Sequence, residues 1–155
     1  MTPTGMLDRA FQLIMRRMVE TGQAPHYTEL ARALRCPVVE GRAALHGVME
    51  RFVPGWLFPE TDYIASFPPF NNLPTQYRIT VAGHQRWFAQ CGFESLAMTW
   101  VFPGQEVRIE APCLDCGEPL TLDMLDGRFL RVDPPQLVGH LNHPWTVSKP
   151  RLPFI

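Results

Sequence analysis

The chain has 155 residues, a hydrophobic fraction of 46% and a formal net charge of −1. This length allows a sizeable core in one domain or two small ones, and the near-neutral charge gives no general attraction to nucleic acid or an anionic membrane. No apolar run approaches the roughly 18 residues that cross a bilayer, and the N-terminus lacks the basic and apolar regions of a signal peptide. We therefore expect a cytoplasmic protein with reduced thiols.

The first 34 residues show the periodicity of two helices. Apolar residues recur at three- and four-residue spacing over residues 6–21, and Gly22 follows as a C-cap. Thr28 then has the side chain of an N-cap for a short helix over residues 29–34. This stretch therefore predicts a long amphipathic helix followed by a short one.

A third helix and an irregular segment complete a winged-helix-like module over residues 1–76. Pro37 suits the first turn of a helix that ends near Arg51, and the proline- and aromatic-rich residues 52–76 predict a wing-like segment and linker. DNA binding requires base-edge readers at the start of the third helix, where this chain has Val38-Val39-Glu40. A packing role without DNA is therefore favoured, and a metal-responsive DNA-binding regulator stays an alternative.

Residues 77–155 predict a second domain, which contains a small mixed sheet and a central helix. Alternating side chains predict strands over residues 77–81, 106–111 and 117–125, and the Asp126-Gly127 turn signal adds a hairpin partner over 129–132. Residues 84–100 predict a helix with Cys91 in its middle. The fold class is therefore α+β, with an irregular tail at the C-terminus.

Three of the four cysteines lie close together in the sequence and carry most of its chemistry. Cys91 precedes Glu94 by three residues, which places a thiol and a carboxyl group on one face of a helix. Cys113 and Cys116 form Cys-x-x-Cys-Gly, the shape of a zinc knuckle. Because a thiolate is both a nucleophile and a soft-metal ligand, these residues suggest capture of a soft metal or chemistry on one.

Several interpretations of the cysteines stay open. A four-coordinate metal site needs two ligands besides Cys113 and Cys116, and the candidates are His140 with His143, or Cys91 as a third ligand. A redox dithiol is a rival interpretation, although no thioredoxin-like βαβ pattern surrounds the pair. The plain alternatives are reduced thiols without a ligand and, for Cys91, a small packing residue. Cys36 is expected to be structural.

Residues 77–125 resemble the organomercurial (alkylmercury) lyases. The matching stretches are Tyr77-Arg78-Ile79-Thr80-Val81-Ala82-Gly83, Trp87-Phe88-Ala89-Gln90-Cys91-Gly92-Phe93-Glu94-Ser95-Leu96, Phe102-Pro103-Gly104 and Val107-Arg108-Ile109-Glu110-Ala111-Pro112-Cys113. The Trp-x-x-x-Cys-x-x-acid run and the later Ala-Pro-Cys are the more specific parts. That family also begins with a helical, winged-helix-like domain, which residues 6–51 fit.

The resemblance implies protonolysis of a carbon–mercury bond by two cysteines and an acid, with no cofactor required. Cys91 matches the first cysteine, and Glu94 matches the acid, where the family usually has aspartate. The second catalytic cysteine of the family lies in a later strand, whereas no cysteine follows Cys116 in this chain. The resemblance thus implies a member shortened at its C-terminus, in which Cys113 or Cys116 would replace the missing thiol.

The leading hypothesis is therefore a lyase-like protein that binds mercury, zinc or an organometallic compound through thiolates. In a catalytic protein Cys91 would be the nucleophile and Glu94 the proton donor. A non-catalytic metal-binding or accessory domain is the alternative from another class. The expected partner is a small organometallic compound or a metal ion rather than nucleic acid or a membrane, and a homodimer or a partner chain stays open.

Overall fold

The computed structural model describes residues 3–51 and 55–140 and divides the chain into two compact units, Met1–Pro68 and Pro69–Ile155. The division falls after Pro68, whereas the sequence predicted a linker that reaches residue 76. The first unit contains α1 (Pro3–Thr21), α2 (Tyr27–Leu34), α3 (Val38–Arg51), β1 (Trp56–Leu57) and β2 (Ile64–Phe67). The second contains β3 (Phe70–Asn71), β4 (Arg78–Val81), β5 (His84–Ala89), α4 (Gly92–Val101), β6 (Val107–Pro112), β7 (Pro119–Leu125) and β8 (Arg128–Asp133).

The three helices of the first unit lie where the periodicity predicts them, but the cap of α2 differs. Gly22 follows α1 with a φ of 73° and donates its N–H to the Met18 carbonyl at 2.8 Å, as a C-cap does. The N-cap of α2 is His26, whose ring Nδ1 accepts the Thr28 N–H at 3.3 Å. The predicted cap at Thr28 was wrong, because an imidazole nitrogen here replaces the hydroxyl acceptor that usually fills this position.

A close approach between α2 and α3 depends on Gly41. A Cβ at that position would lie 2.5 Å from the Ala31 Cβ and 2.8 Å from its Cα. Gly41→Ala should therefore destabilise the protein by roughly 1–3 kcal/mol through overpacking, which exceeds the gain of about 1 kcal/mol in helix propensity. Urea unfolding measures this loss. Gly47→Ala on the same helix is the control, because its Cβ would meet only the flexible Leu7 side chain. An unfolding free energy for Gly41→Ala equal to or above that of Gly47→Ala would contradict this packing.

The predicted wing-like segment contains a short hairpin rather than a purely irregular chain. Antiparallel strands β1 and β2 pair Trp56 with Ser66, and all four residues of β2 are buried. Asp62, in the connecting loop, accepts hydrogen bonds from Arg42 at 2.8 Å and His46 at 2.6 Å. These contacts attach the hairpin to α3. Residues 52–54 of the predicted segment lie outside the described residues.

The second unit is built on an antiparallel sheet with the strand order β3-β5-β4-β6-β7-β8. The α+β class is confirmed, but these pairings are antiparallel where the sequence predicted a mixed sheet. Two of the five pairs, β4–β5 and β7–β8, are joined by two-residue turns, which connect antiparallel strands, whereas parallel neighbours require longer crossovers. The predicted hairpin at Asp126-Gly127 is present, with φ values of 47° and 81°.

The predicted helix over residues 84–100 was wrong in its first half. Residues His84–Ala89 form β5, which pairs with β4 on one side and β3 on the other. Ala82 and Gly83 both have positive φ values, 48° and 81°, and this tight turn reverses the chain between β4 and β5. Helix α4 begins only at Gly92, so Cys91 lies at a strand-to-helix junction and not in mid-helix.

Helix α4 packs on one face of this sheet, and its N-terminus lies at one end of the strands. Met98 and Thr99 are buried, and the Thr99 hydroxyl accepts the Gly127 N–H at 3.0 Å. The sheet face that shares this core is apolar, with buried Ile79, Val81, Trp87, Val107, Ile109 and Met124. Within residues 3–51 and 55–140, no helix has both the length and the apolar character needed to cross a membrane.

Candidate functional site

Cys91 is the N-cap residue of α4. Its backbone is extended, with φ −145° and ψ 172°, and its Sγ accepts the N–H of Glu94 at 3.4 Å. The thiol takes the place that a serine or aspartate oxygen usually fills at a helix N-terminus. The helix dipole and this N–H favour negative charge on the sulfur.

Burial opposes ionisation of this thiol. Burial is the main cause that raises the pKa of Cys91, and the neighbouring Glu94 charge raises it further, while the N–H groups of Glu94 and Phe93 lower it. The net shift is upward from 9.0, so the thiol is protonated at neutral pH. A soft metal can displace this proton, because metal binding itself favours the thiolate.

Glu94 lies in the first turn of α4 with its carboxyl group largely enclosed. Burial raises its pKa from the ordinary 4.5 to about 7. Its Oε2 atom is buried and has no hydrogen-bond partner within the described part of the chain. Near neutral pH a large share of the molecules therefore carry a neutral carboxylic acid beside the Cys91 thiol, which is a usable proton donor.

The raised pKa of Glu94 predicts a stability that falls as pH rises. The folded protein binds the Glu94 proton more tightly than the unfolded chain does. The free energy of unfolding should therefore fall by up to about 3 kcal/mol as pH rises from 4.5 to about 7. Glu94→Gln should match the wild-type stability near pH 4.5 and exceed it above pH 8. Urea unfolding at both pH values checks this. Glu118→Gln, at an exposed carboxyl group, is the control, and an equal effect of both variants at both pH values would contradict a buried Glu94.

Sheet register brings the Cys91 and Cys113 positions to the same end of the sheet. Both β5 and β6 run antiparallel to β4, and residue 78 of β4 pairs with Phe88 on one side and with Glu110 on the other. The two cysteines therefore leave the sheet at one end, on strands separated by β4, or about 10 Å. Buried Ala89 and half-buried Ala111 precede them by two residues each.

Tyr77 lies between these two positions and was not among the predicted site residues. It is only 9% exposed. A Cβ built on Gly92 would lie 3.5 Å from the Tyr77 ring and 3.6 Å from its hydroxyl oxygen. The phenol therefore packs against the residue that follows Cys91. Its place at the start of the family-like stretch was the available signal.

Cys113 and Cys116 occupy the loop between β6 and β7. The loop is closed by two backbone hydrogen bonds, from the Cys113 N–H to Glu118 at 2.7 Å and from the Gly117 N–H to Cys113 at 2.9 Å. The backbone N–H groups of Cys116 and Asp115 and the Cys116 side chain hydrogen-bond to the Cys113 thiol and lower its pKa. Cys113 is half-buried, Cys116 is exposed, and both are free thiols.

Those predicted ligands that the structure describes do not form a cluster of three. Throughout residues 3–51 and 55–140, no group of three or more His, Cys, Asp or Glu side chains is placed to hold one metal ion. His140 is exposed, and His143 lies outside the described residues. The metal ligand set of Cys91, Cys113, Cys116, His140 and His143 therefore stays a prediction.

A surface cleft of about 370 Å³ lies elsewhere in the second unit. Arg78, Glu110 and Thr121 line it, together with Gly117 of the cysteine loop, and neither Cys91 nor Glu94 does. The cleft offers no thiol and no buried acid. The candidate site at the start of α4 is therefore identified by its thiol and its buried acid and not by the size of a cavity.

The fold and this site define an α+β protein whose helix N-terminus holds a thiol beside a protonatable buried acid. A family model described as "Alkylmercury lyase" matches residues 70–150. The chain belongs to the alkylmercury lyase family.

Related proteins agree with this assignment. Alkylmercury lyases of Bacillus cereus and Clostridium butyricum are each 33% identical over 85 residues, which cover 53% of this chain and 37% of theirs. This chain therefore spans well under half the length of those relatives. The crystal structure of the mercury-bound form of MerB2 has the same fold, with a TM-score of 0.65 and 19% identity over 86% of this chain and 62% of that one.

Proposed function

We propose that Cys91 binds the mercury of an organomercurial compound and that Glu94 supplies the proton that releases its carbon. One observation carries the proposal: the sulfur of Cys91 contacts the N–H of Glu94 at 3.4 Å, and the carboxyl group of that same residue is buried, unpaired at Oε2 and protonatable near pH 7. Membership of the alkylmercury lyase family supports this assignment of the pair.

The first step is a thiolate exchange on mercury. An organomercurial arrives as R–Hg–X, in which X is a small thiolate, and the Cys91 sulfur forms a bond to mercury as X leaves. The Cys91 proton goes to X, so the products are R–Hg–S(Cys91) and HX. The N–H of Glu94 at 3.4 Å stabilises the sulfur as its negative charge develops.

The second step cleaves the carbon–mercury bond by proton transfer. A second thiolate adds to mercury and pushes electron density towards carbon. We assign this thiolate to Cys113, because the register brings it to the same end of the sheet as Cys91. The carbon–mercury electron pair takes the Glu94 proton, giving R–H, a bis-thiolate mercury(II) and a Glu94 carboxylate.

The balance of this step explains why no cofactor is needed. Mercury stays in the +2 state and carbon keeps the bonding pair, so no electrons enter or leave the site. Burial then disfavours the Glu94 carboxylate, and the group recovers a proton from solvent. A second copy of the chain or a partner chain is the alternative source of the second thiolate, and unchanged cleavage by a Cys113→Ser variant would favour it.

Hydrocarbon release tests the proposal. The purified protein is incubated with methylmercury in D2O with an excess of a small thiol, and the gas above the solution is assayed for methane. We expect methane above the buffer rate, with one deuterium per molecule, because the transferred proton exchanges with solvent. Release at the buffer rate by a correctly folded protein would remove the lyase proposal and leave mercury binding as the function.

A further inference from the structure

The loop between β6 and β7 presents two thiols side by side. Cys113 and Cys116 lie three residues apart in it, and both are free thiols. Gly117 follows with a φ of 77°, a conformation that L side chains rarely adopt. The N–H of this glycine bonds to the Cys113 carbonyl at 2.9 Å, and the Cys113 N–H bonds to Glu118 at 2.7 Å. The loop is thus fixed by its own backbone with both sulfurs on it.

The number of ligands near this loop determines which kind of metal ion it can bind. Structural zinc sites are tetrahedral and need four ligands. Across the described residues no third His, Cys, Asp or Glu joins the two thiols in a metal-binding group. Soft ions such as mercury(II) and copper(I) are satisfied by two thiolates, and metal–sulfur bonds of about 2.3 Å would span two neighbouring sulfurs. The exposed Cys116 leaves the loop open to small thiol complexes of such ions.

We infer that Cys113 and Cys116 form a two-thiolate site for a soft, low-coordinate metal ion, which binds without Cys91. The site goes beyond the lyase proposal, because it requires neither Glu94 nor a carbon–mercury bond. Loading is again an exchange: a metal bound to two small thiolates passes to the two cysteine sulfurs, and the two cysteine protons go to the departing thiolates. No oxidant or reductant takes part.

A variant that keeps only these two thiols tests the inference. The chain has four cysteines, so Cys36→Ser with Cys91→Ser leaves Cys113 and Cys116 alone. The protein is mixed with one equivalent of mercury(II) in millimolar glutathione without oxygen, desalted and analysed for mercury and for the sulfur-to-mercury absorption band. We expect one mercury per chain, because the second thiol acts at a high effective concentration.

Two matched variants decide the result. Adding Cys116→Ser should lower retained mercury about tenfold or more, since one thiol cannot chelate against glutathione. Adding Leu114→Ala instead, at an exposed neighbour (70%), should leave it unchanged. Circular dichroism checks folding. Loss of mercury from the two-thiol protein, or equal mercury retention after Cys116→Ser, would overturn the inference. Retention of zinc(II) equal to that of mercury(II) by the two-thiol protein in the same assay would also overturn it. Because all these proteins lack Cys91, the result is independent of the lyase proposal.

Discussion

Replacing Cys91 by serine is expected to reduce hydrocarbon release from methylmercury to the buffer rate. Serine preserves the N-cap, because its oxygen can also accept the Glu94 N–H, so α4 should stay folded. The hydroxyl oxygen is a hard ligand and does not hold mercury against a small thiol. The measurement is methane release in a single turnover, with the chain in excess over methylmercury.

Cys36→Ser is the matched control for this prediction. Cys36 follows the C-cap of α2 in the first unit and donates its N–H to Ala31 at 3.0 Å, a backbone bond that serine keeps. We expect wild-type methane release from this variant. Methane release by Cys91→Ser at more than a small fraction of the wild-type rate would show that another group holds the mercury.

Replacing Glu94 by glutamine is expected to slow methane release by about 10²–10⁴, the usual contribution of a general acid. Glutamine has nearly the same shape but no transferable carboxyl proton. Binding of methylmercury at Cys91 should persist, so the substitution should lower the rate of cleavage and not the binding of mercury. Glu94→Asp, which supplies the acid that the family usually has, should recover more of the rate than Glu94→Gln.

The pH dependence of cleavage follows from the same carboxyl group. In the proposed cleavage step the protonated form of Glu94 is the donor, and the pKa of this group is about 7. Once the second thiol is ionised, the cleavage rate of a preloaded complex should therefore fall about tenfold per pH unit well above pH 7. Glu94→Gln should lose this decline. The same pH dependence for the wild type and for Glu94→Gln from pH 6 to pH 9 would contradict Glu94 as the donor.

Local sequence patterns predicted the helices and the hairpin whose apolar spacing and turn residues match the secondary structure that forms. Helices α1 to α3 and the β7–β8 hairpin follow from apolar periodicity and from the Asp126-Gly127 turn signal, and the structure confirms them. The family resemblance over residues 77–125 is confirmed by the family match over residues 70–150. The helices and the hairpin are each encoded within a few neighbouring residues, which is why a single sequence reveals them.

Strand β5 could not be predicted in the same way. Its reversal from β4 depends on Ala82 in a left-handed conformation, a residue that gives no turn signal of the Asn-Gly type. The apolar residues from Trp87 to Trp100 also span a strand end and a helix, and their spacing resembles one continuous helix. Pairing with β3 and β4 over His84–Ala89 outweighed that local pattern.

The sequence named the residues of the candidate site, but it did not predict that Cys91 caps a helix or that Glu94 is buried. The sequence named Cys91 and Glu94 and paired them by helical spacing. Their actual relation is that of an N-cap sulfur and a first-turn acid, with the N–H of one residue donating to the sulfur of the other. The burial that raises the pKa of Glu94 to about 7 comes from tertiary packing, which no short-range pattern encodes.

Intact mass analysis of the Glu94→Gln variant with one equivalent of methylmercury tests the central claim most directly. The account predicts a trapped adduct in which the methylmercury group remains on Cys91, while the wild-type protein releases methane and retains only inorganic mercury. Peptide mapping locates the adduct. Loss of the methyl group from the variant as fast as from the wild type, or an adduct confined to a different cysteine, would contradict it.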